Sequence, residues 1–191
     1  MCRACYLQLR QLRAVRRSLS PDALRSLLHA VVACRLDYCN SLLVGLPARV
    51  IRRLQPVQNA AAGLFGGVCR RKQVTTILRD DLHWLPVDHR IQFKIDVMTY
   101  KALHELAPPY IRDLCASTSF KPPLRQHCSS DRGDLIVPRT RTVAFGRSAF
   151  AVAAQSIWNT LPVDLRRCPS LSTLRSELNT YLIRAAYNIS D

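Results

Sequence analysis

The sequence is poor in the features that mark nucleotide-binding loops and membrane spans. It has only six glycines in 191 residues, and the pair Gly66-Gly67 is not followed by the Lys and the Ser or Thr of a phosphate-binding loop. The most apolar window, residues 24–44, is interrupted by two Arg, a His and an Asp, so it is not the continuous apolar run of a membrane helix. We therefore predict no phosphate-binding loop and no membrane partner.

Cysteines are too sparse to form the framework of a small secreted protein. The chain has eight, whereas disulfide scaffolds are short and dense in cysteine. Cys2 and Cys5 have the spacing of zinc ligands, but no second pair lies at the distance of a zinc finger. The first ten residues, MCRACYLQLR, include two Arg and do not form the apolar run of a signal peptide. We expect a reducing compartment, cytosolic or nuclear, and we predict no metal and no cofactor.

Acidic residues are also scarce, and this imbalance is the strongest compositional signal. The 28 Lys and Arg face 13 Asp and Glu, which gives a net charge of +15. Only four of the basic residues are Lys; an Arg side chain presents a planar fork that matches phosphate oxygens in pairs, whereas Lys is a point charge. This excess favours a nucleic-acid partner. A solvated surface that merely reflects Arg-rich coding remains the alternative.

Apolar residues recur at helical spacing along most of the first 112 residues. Ser20 and Pro21 predict an N-cap and first position, followed by an apolar stripe that spans residues 24–32. A helix predicted to begin at Pro47 contains Pro56, which we expect to kink it. The stretch on which the chain is centred is a helix from Pro86 to about Leu106. Its two apolar faces predict packing on both sides.

The remainder of the chain predicts a linker and a small appendage. Residues 113–134 show no periodicity and read as a flexible connection. Two short strands, 135–137 and 142–144, predict a hairpin, and two helices follow it within residues 135–191. The predicted fold class is therefore mostly α: a multi-helix domain over residues 1–112 and a C-terminal appendage that combines α-helices with a β-hairpin.

Basic residues gather on the polar faces of these predicted elements. Four of them share one face of the first helix, where like charges repel by roughly 0.2–0.5 kcal/mol per pair; a bound polyanion would relieve that repulsion. In the predicted hairpin, alternation directs Arg139 and Arg141 to the same side. The candidate phosphate-contacting residues are Arg3, Arg10, Arg13, Arg17, Arg49, Arg52, Arg53, Arg90, Lys94, Lys101, Arg139 and Arg141.

Seven phrases of the sequence, taken in order, carry a resemblance to a known family. They are RLDYCNSLL (35–43), LQPVQNAAA (54–62), LHWLPV (82–87), TYKAL (99–103), VPRTRT (137–142), WNTLP (158–162) and PSL (169–171). Together they resemble the region that follows the polymerase palm in reverse transcriptases of non-LTR, LINE-type retrotransposons of the jockey and chicken-repeat kind. The resemblance covers nearly the whole chain. It implies a thumb-like helical region that helps to hold template RNA and primer DNA; the family usually has a basic residue where this chain has Pro56.

The resemblance also implies what this chain lacks. The family is RNA-directed DNA polymerase, and its chemistry needs an aromatic-x-Asp-Asp group and a distant third Asp to hold two metal ions. The only adjacent carboxylates here, Asp80 and Asp81, follow no aromatic residue. We therefore predict no catalytic residue.

Two hypotheses about function follow. The first is a non-catalytic fragment that binds RNA or RNA/DNA duplex through backbone phosphates, with an upstream polymerase palm domain as a further partner. The alternative is a degenerate retroelement-derived domain with a protein-interaction role or no biochemical role. Whether the basic residues cluster on one surface or scatter distinguishes the two.

Overall fold

The computed structural model describes residues 2–38, 40–68, 71–119, 135–138 and 150–189. These residues are mostly helical, as predicted, and contain no β-strand. Their α-helices are α1 Cys2–Val15, α2 Pro21–Leu28, α3 Cys34–Asp37, α4 Ala48–Ile51, α5 Gln55–Gly66, α6 Arg71–Thr76, α7 Val87–Leu103, α8 Pro109–Ser119, α9 Phe150–Trp158, α10 Val163–Arg166 and α11 Leu171–Tyr187. Shorter 3₁₀ turns (Arg16–Ser18, Asn40–Leu43) and π-helical turns (His29–Ala33, Ile77–Asp81) extend or join them.

The contacts of the backbone divide the chain into two compact units. The first contains residues 1–40, 46–90 and 182–191, and the second contains residues 41–45 and 91–181. Most of α7 belongs to the second unit, and the end of α11 belongs to the first.

Helix α5 forms the centre of the first unit. Val57, Ala61 and Ala62 are fully buried, and the helix contacts α1, α2 and α6. Gln58 is also fully buried, and its Nε2 donates to the Leu85 carbonyl at 2.7 Å. This bond holds the segment before α7 against α5. Its loss would leave a buried amide without a partner, which would destabilise the fold.

The kink predicted at Pro56 is replaced by a break between two helices. Helix α4 ends at Ile51, and α5 begins anew at Gln55 with Pro56 in its first turn. Proline is tolerated there because the first N–H groups of a helix have no partner within the helix. At its other end, α5 is closed by Gly67, whose φ of 67° is a left-handed conformation that glycine adopts without strain.

Helix α7 is buried on two faces, which confirms the prediction for this stretch. Ile91 and Ile95 are buried on one face, and Val97 and Tyr100 are buried on the other. The helix ends at Leu103 and not at Leu106, whose exposed fraction is 59%. In the second unit, the Tyr100 hydroxyl donates to the Cys168 carbonyl at 2.9 Å, and its ring lies 6.4 Å from that of Trp158.

The described part of the predicted hairpin, residues 135–138, does not form a strand. The backbone N–H and carbonyl of Leu135 instead bond to the side-chain amide of Asn159, at 2.8 and 2.7 Å. An amide side chain offers one acceptor and one donor, so Asn159 satisfies both groups as a neighbouring strand would. The second predicted strand, residues 142–144, lies outside the described residues. Helix α8 extends to Ser119 and so enters the range predicted as a linker.

Candidate nucleic-acid interface

Helix α1 and the turn after it carry a stripe in which arginines alternate with one tyrosine. Arg3, Tyr6, Arg10, Arg13 and Arg17 follow one another at intervals of three and four residues, and all five are exposed. Side chains at these intervals share one face of a helix. The structure thus brings together the four arginines predicted for this helix.

The opposite side of α1 packs against the rest of the first unit, so the stripe faces away from the core. Cys5 and Leu9 are buried in the first unit. At one end, the Cys2 Sγ lies 3.9 Å from the Arg53 carbonyl oxygen; at the other, the Arg16 Nη2 donates to the Phe65 carbonyl at 3.0 Å. Arg53 lies just before α5 and Phe65 lies near its end, so α1 and α5 run parallel. The start of the stripe therefore lies beside the turn that contains Arg53.

Carboxylates are absent from the sequence of both segments that build this surface. Residues 1–21 contain five Lys and Arg, residues 38–79 contain seven, and neither segment contains an Asp or Glu. The first unit as a whole has 16 basic and 6 acidic residues, hence +10 of the net +15. An excess of one sign on a small unit produces a positive potential that attracts polyanions.

Helix α4 and the turn that follows contribute the second group of predicted residues. Arg49, Arg52 and Arg53 are all exposed. Among the described residues, the ion pairs do not involve these three or the four arginines of the stripe. Their guanidinium groups are therefore available to an external anion. We call these seven residues the arginine cluster: Arg3, Arg10, Arg13, Arg17, Arg49, Arg52 and Arg53.

Arg90 occupies a different environment from the cluster. Its side chain is only 11% exposed, its Nη1 contacts the Asp37 carboxylate, and its Nε donates to the Leu85 carbonyl at 3.1 Å. The guanidinium also lies over the Trp84 ring, 5.5 Å from the centroid. Because these partners occupy it, we leave Arg90 out of the proposed interface.

Lys94 and Lys101 do not belong to the arginine cluster. Lys94 is exposed and Lys101 is partly buried, both on the part of α7 that belongs to the second unit. Arg139 and Arg141 lie outside the described residues.

A cavity of about 480 Å³ lies beside Arg52 in the first unit. Its lining includes Gln55, which accepts from the Val87 N–H at 3.0 Å, and the Asp88–His89 pair. The His89 Nδ1 lies 3.3 Å from the Asp88 Oδ1, and this contact lowers the pKa of the Asp88 carboxyl. The ionised carboxylate would repel a phosphate, so we assign the cavity no part in the interface.

Asp80, the first of the two adjacent carboxylates at 80 and 81, has a local partner. The Arg79 guanidinium binds Asp80 through two contacts, Nε to Oδ1 at 2.6 Å and Nη2 to Oδ2 at 2.9 Å. These bonds lower the pKa of Asp80. In the part of the chain that the structure describes, no group of three or more His, Cys, Asp or Glu is arranged to hold a metal ion.

Sequence reasoning overlooked two residues of this surface. Arg16 was not distinguished from its neighbours, yet its bond to Phe65 joins the ends of α1 and α5; only the long-range contact reveals that role. Tyr6 was also missed, although a signal existed. It completes the interval pattern of the basic stripe, and an aromatic residue within such a stripe is typical of nucleic-acid-binding surfaces.

No family model, curated protein or solved structure matches this chain. Across the described ranges, no helix is both long enough and apolar enough to cross a membrane. The arrangement of the basic residues is therefore what supports a function.

Proposed function

We propose that this chain binds RNA or RNA/DNA duplex through backbone phosphates and catalyses no reaction. The observation that carries the proposal is the arginine cluster: seven exposed guanidinium groups in the first unit, on segments without a carboxylate. Phosphate contacts position a protein on nucleic acid without reading its sequence. We therefore expect little preference among sequences.

We further propose that the chain derives from the post-palm region of a non-LTR retrotransposon reverse transcriptase. The seven ordered phrases and the mostly helical fold support this origin. In that setting an upstream palm domain is the protein partner, and Arg139 and Arg141, predicted from the sequence, add two phosphate contacts. The compartment is the cytosol or the nucleus, where such templates occur.

Salt dependence provides the test of phosphate binding. Each phosphate that is neutralised releases counterions, so the logarithm of affinity falls with the logarithm of salt concentration by about 0.7–0.9 per contact. Replacement of Arg10, Arg13 and Arg17 together by Gln should flatten this slope by about 2–3. The measurement is fluorescence anisotropy with a labelled RNA/DNA duplex over a series of salt concentrations.

A second triple variant controls for net charge. Arg167, Arg175 and Arg184 are also exposed but lie outside the cluster, and their replacement by Gln removes the same charge. If both triples weaken binding equally, the cluster is not a site. If the unaltered protein does not bind at about 0.1 M salt, where the Debye length is near 10 Å, the alternative of a degenerate domain is favoured.

A further inference from the structure

Tyr6 is a large aromatic side chain that the fold leaves at the surface. Its exposed fraction is 43%, and it lies between Arg3 and Arg10 on the stripe of α1. The aromatic residues Trp84, Tyr100 and Trp158 are buried, as expected for residues that stabilise a core. Tyr6 therefore differs from them in exposure, and its neighbours on the stripe are exposed arginines.

Tyr6 lines a groove between α1 and α5. The groove has a volume of about 240 Å³; its other lining residues are Leu9, Arg10, Arg13, Ala60 and Leu64. The floor is therefore apolar and the rim is cationic. A nucleotide has the complementary character, since a flat apolar base is attached to an anionic phosphate.

We propose that this groove binds an unpaired base of single-stranded RNA or DNA, stacked on the Tyr6 ring, while Arg10 and Arg13 contact the phosphates beside it. The inference rests on the proposed function and adds a preference for strand type. Bases in a duplex already stack on one another, whereas an unpaired base has a free face. An acidic peptide would meet the same charges, but it offers no flat ring to the groove.

An abasic strand separates stacking from charge. The full-length protein should bind a single-stranded oligonucleotide about 5- to 150-fold more tightly than an abasic oligomer of the same length, at one salt concentration. Tyr6→Leu should lose that factor on the oligonucleotide and change nothing on the abasic strand. Tyr6→Phe keeps the ring and should retain most of the affinity.

The dependence of affinity on salt concentration should be the same for the Tyr6 variants and the unaltered protein. Tyr6 neutralises no phosphate, so Tyr6→Leu should lower the affinity without flattening the log–log slope. Tyr38→Leu is the matched control, because Tyr38 is 77% exposed in the same unit but lies outside the stripe; it should change neither quantity.

The possible failures are distinguishable. If the unaltered protein binds nucleic acid with a steep salt slope but does not discriminate the abasic strand, stacking at Tyr6 is excluded and the proposed function remains. The same holds if Tyr6→Leu binds every ligand like the unaltered protein. If a polyglutamate peptide binds as tightly as the oligonucleotide, the groove selects charge alone and the inference fails. Loss of all binding at about 0.1 M salt would exclude both proposals.

Discussion

The Nη1 of Arg90 lies 2.7 Å from both carboxylate oxygens of Asp37, a residue 53 positions earlier in the chain. The pair joins the end of α3 to the first turns of α7 within the first unit. Arg90 also bonds to the Leu85 carbonyl and lies over Trp84. One basic side chain of the predicted interface is thus used to hold the fold together.

Replacement of Arg90 by Gln should destabilise the protein without altering its salt-dependent binding. Loss of the guanidinium leaves Asp37 without its charged partner, which costs about 1–3 kcal/mol; the 42% exposure of the Asp37 side chain keeps the cost below that of a fully buried pair. Urea denaturation measures the change. A double-mutant cycle with Asp37→Asn should give a coupling energy of at least about 0.5 kcal/mol, and additive effects would contradict the pairing.

Ile95→Ala should lower the free energy of unfolding by about 2–5 kcal/mol, because Ile95 is fully buried and its truncation leaves a cavity. Leu106→Ala is the control: this residue follows the helical spacing of the same apolar face but is exposed beyond the end of α7. We expect its effect to stay within about 0.5 kcal/mol. Thermal unfolding followed by circular dichroism compares them, and equal shifts in Tm would show that burial does not distinguish the two positions.

The burial of Asp96 leads us to expect an unusual dependence of the free energy of unfolding on pH. It is fully buried in α7, and neither carboxylate oxygen has a hydrogen-bond partner among the described residues. Burial raises the pKa of this carboxyl well above its usual range. The folded state therefore holds the proton at pH values where the unfolded chain has released it, so its contribution to stability is lost as pH rises from about 4 through the folded pKa.

Asp96→Asn removes the titrating group while its size is kept. We expect the variant to be more stable than the unaltered protein at pH 7 and to show a flatter stability profile above about pH 4. Urea denaturation at a series of pH values measures both. Asp113→Asn, an exposed position on α8, serves as the control, and an unchanged profile for Asp96→Asn would refute the assignment.

The purified chain should extend no primer on an RNA template, with either Mg²⁺ or Mn²⁺. Polymerase chemistry needs a set of carboxylates that holds two metal ions, and Asp80 is paired with Arg79. A gel-based extension assay tests this. Incorporation that disappears in the double variant Asp80→Ala/Asp81→Ala would show that these carboxylates hold metal after all.

Sequence patterns predicted those features of the fold that depend on near neighbours. The cap at Ser20 is confirmed, since its Oγ accepts from the Ala23 N–H at 3.3 Å, and so is the two-sided burial of α7. Both follow from residues within one or two turns of each other. The effect of Pro56 also depends on near neighbours. The preference of proline for the first turn of a helix accounts for the start of α5 at Gln55, whereas we predicted a kink within a longer helix.

Contacts between distant residues set the limit of prediction. Arg90, Lys94 and Lys101 are all among the phosphate-contacting residues predicted from the sequence, but helical spacing contains no information about Asp37, which is the ion-pair partner of Arg90. Leu135 begins a segment with the apolar composition of a strand, yet its backbone hydrogen bonds go to the side chain of Asn159, 24 positions away. Such pairings depend on the tertiary fold, so the arginines left available to a ligand had to be read from the structure.

The parallel packing of α1 on α5 has a consequence for synthesis on the ribosome. The contacts between α1 and α5 join residues about 50 positions apart, such as Arg16 and Phe65, whose side chain and carbonyl share a hydrogen bond. At about 5–20 residues per second, α1 emerges several seconds before its partner is made. During that interval the apolar side of α1 is not covered by α5. The nascent helix is therefore a target for chaperones until α5 has left the exit tunnel.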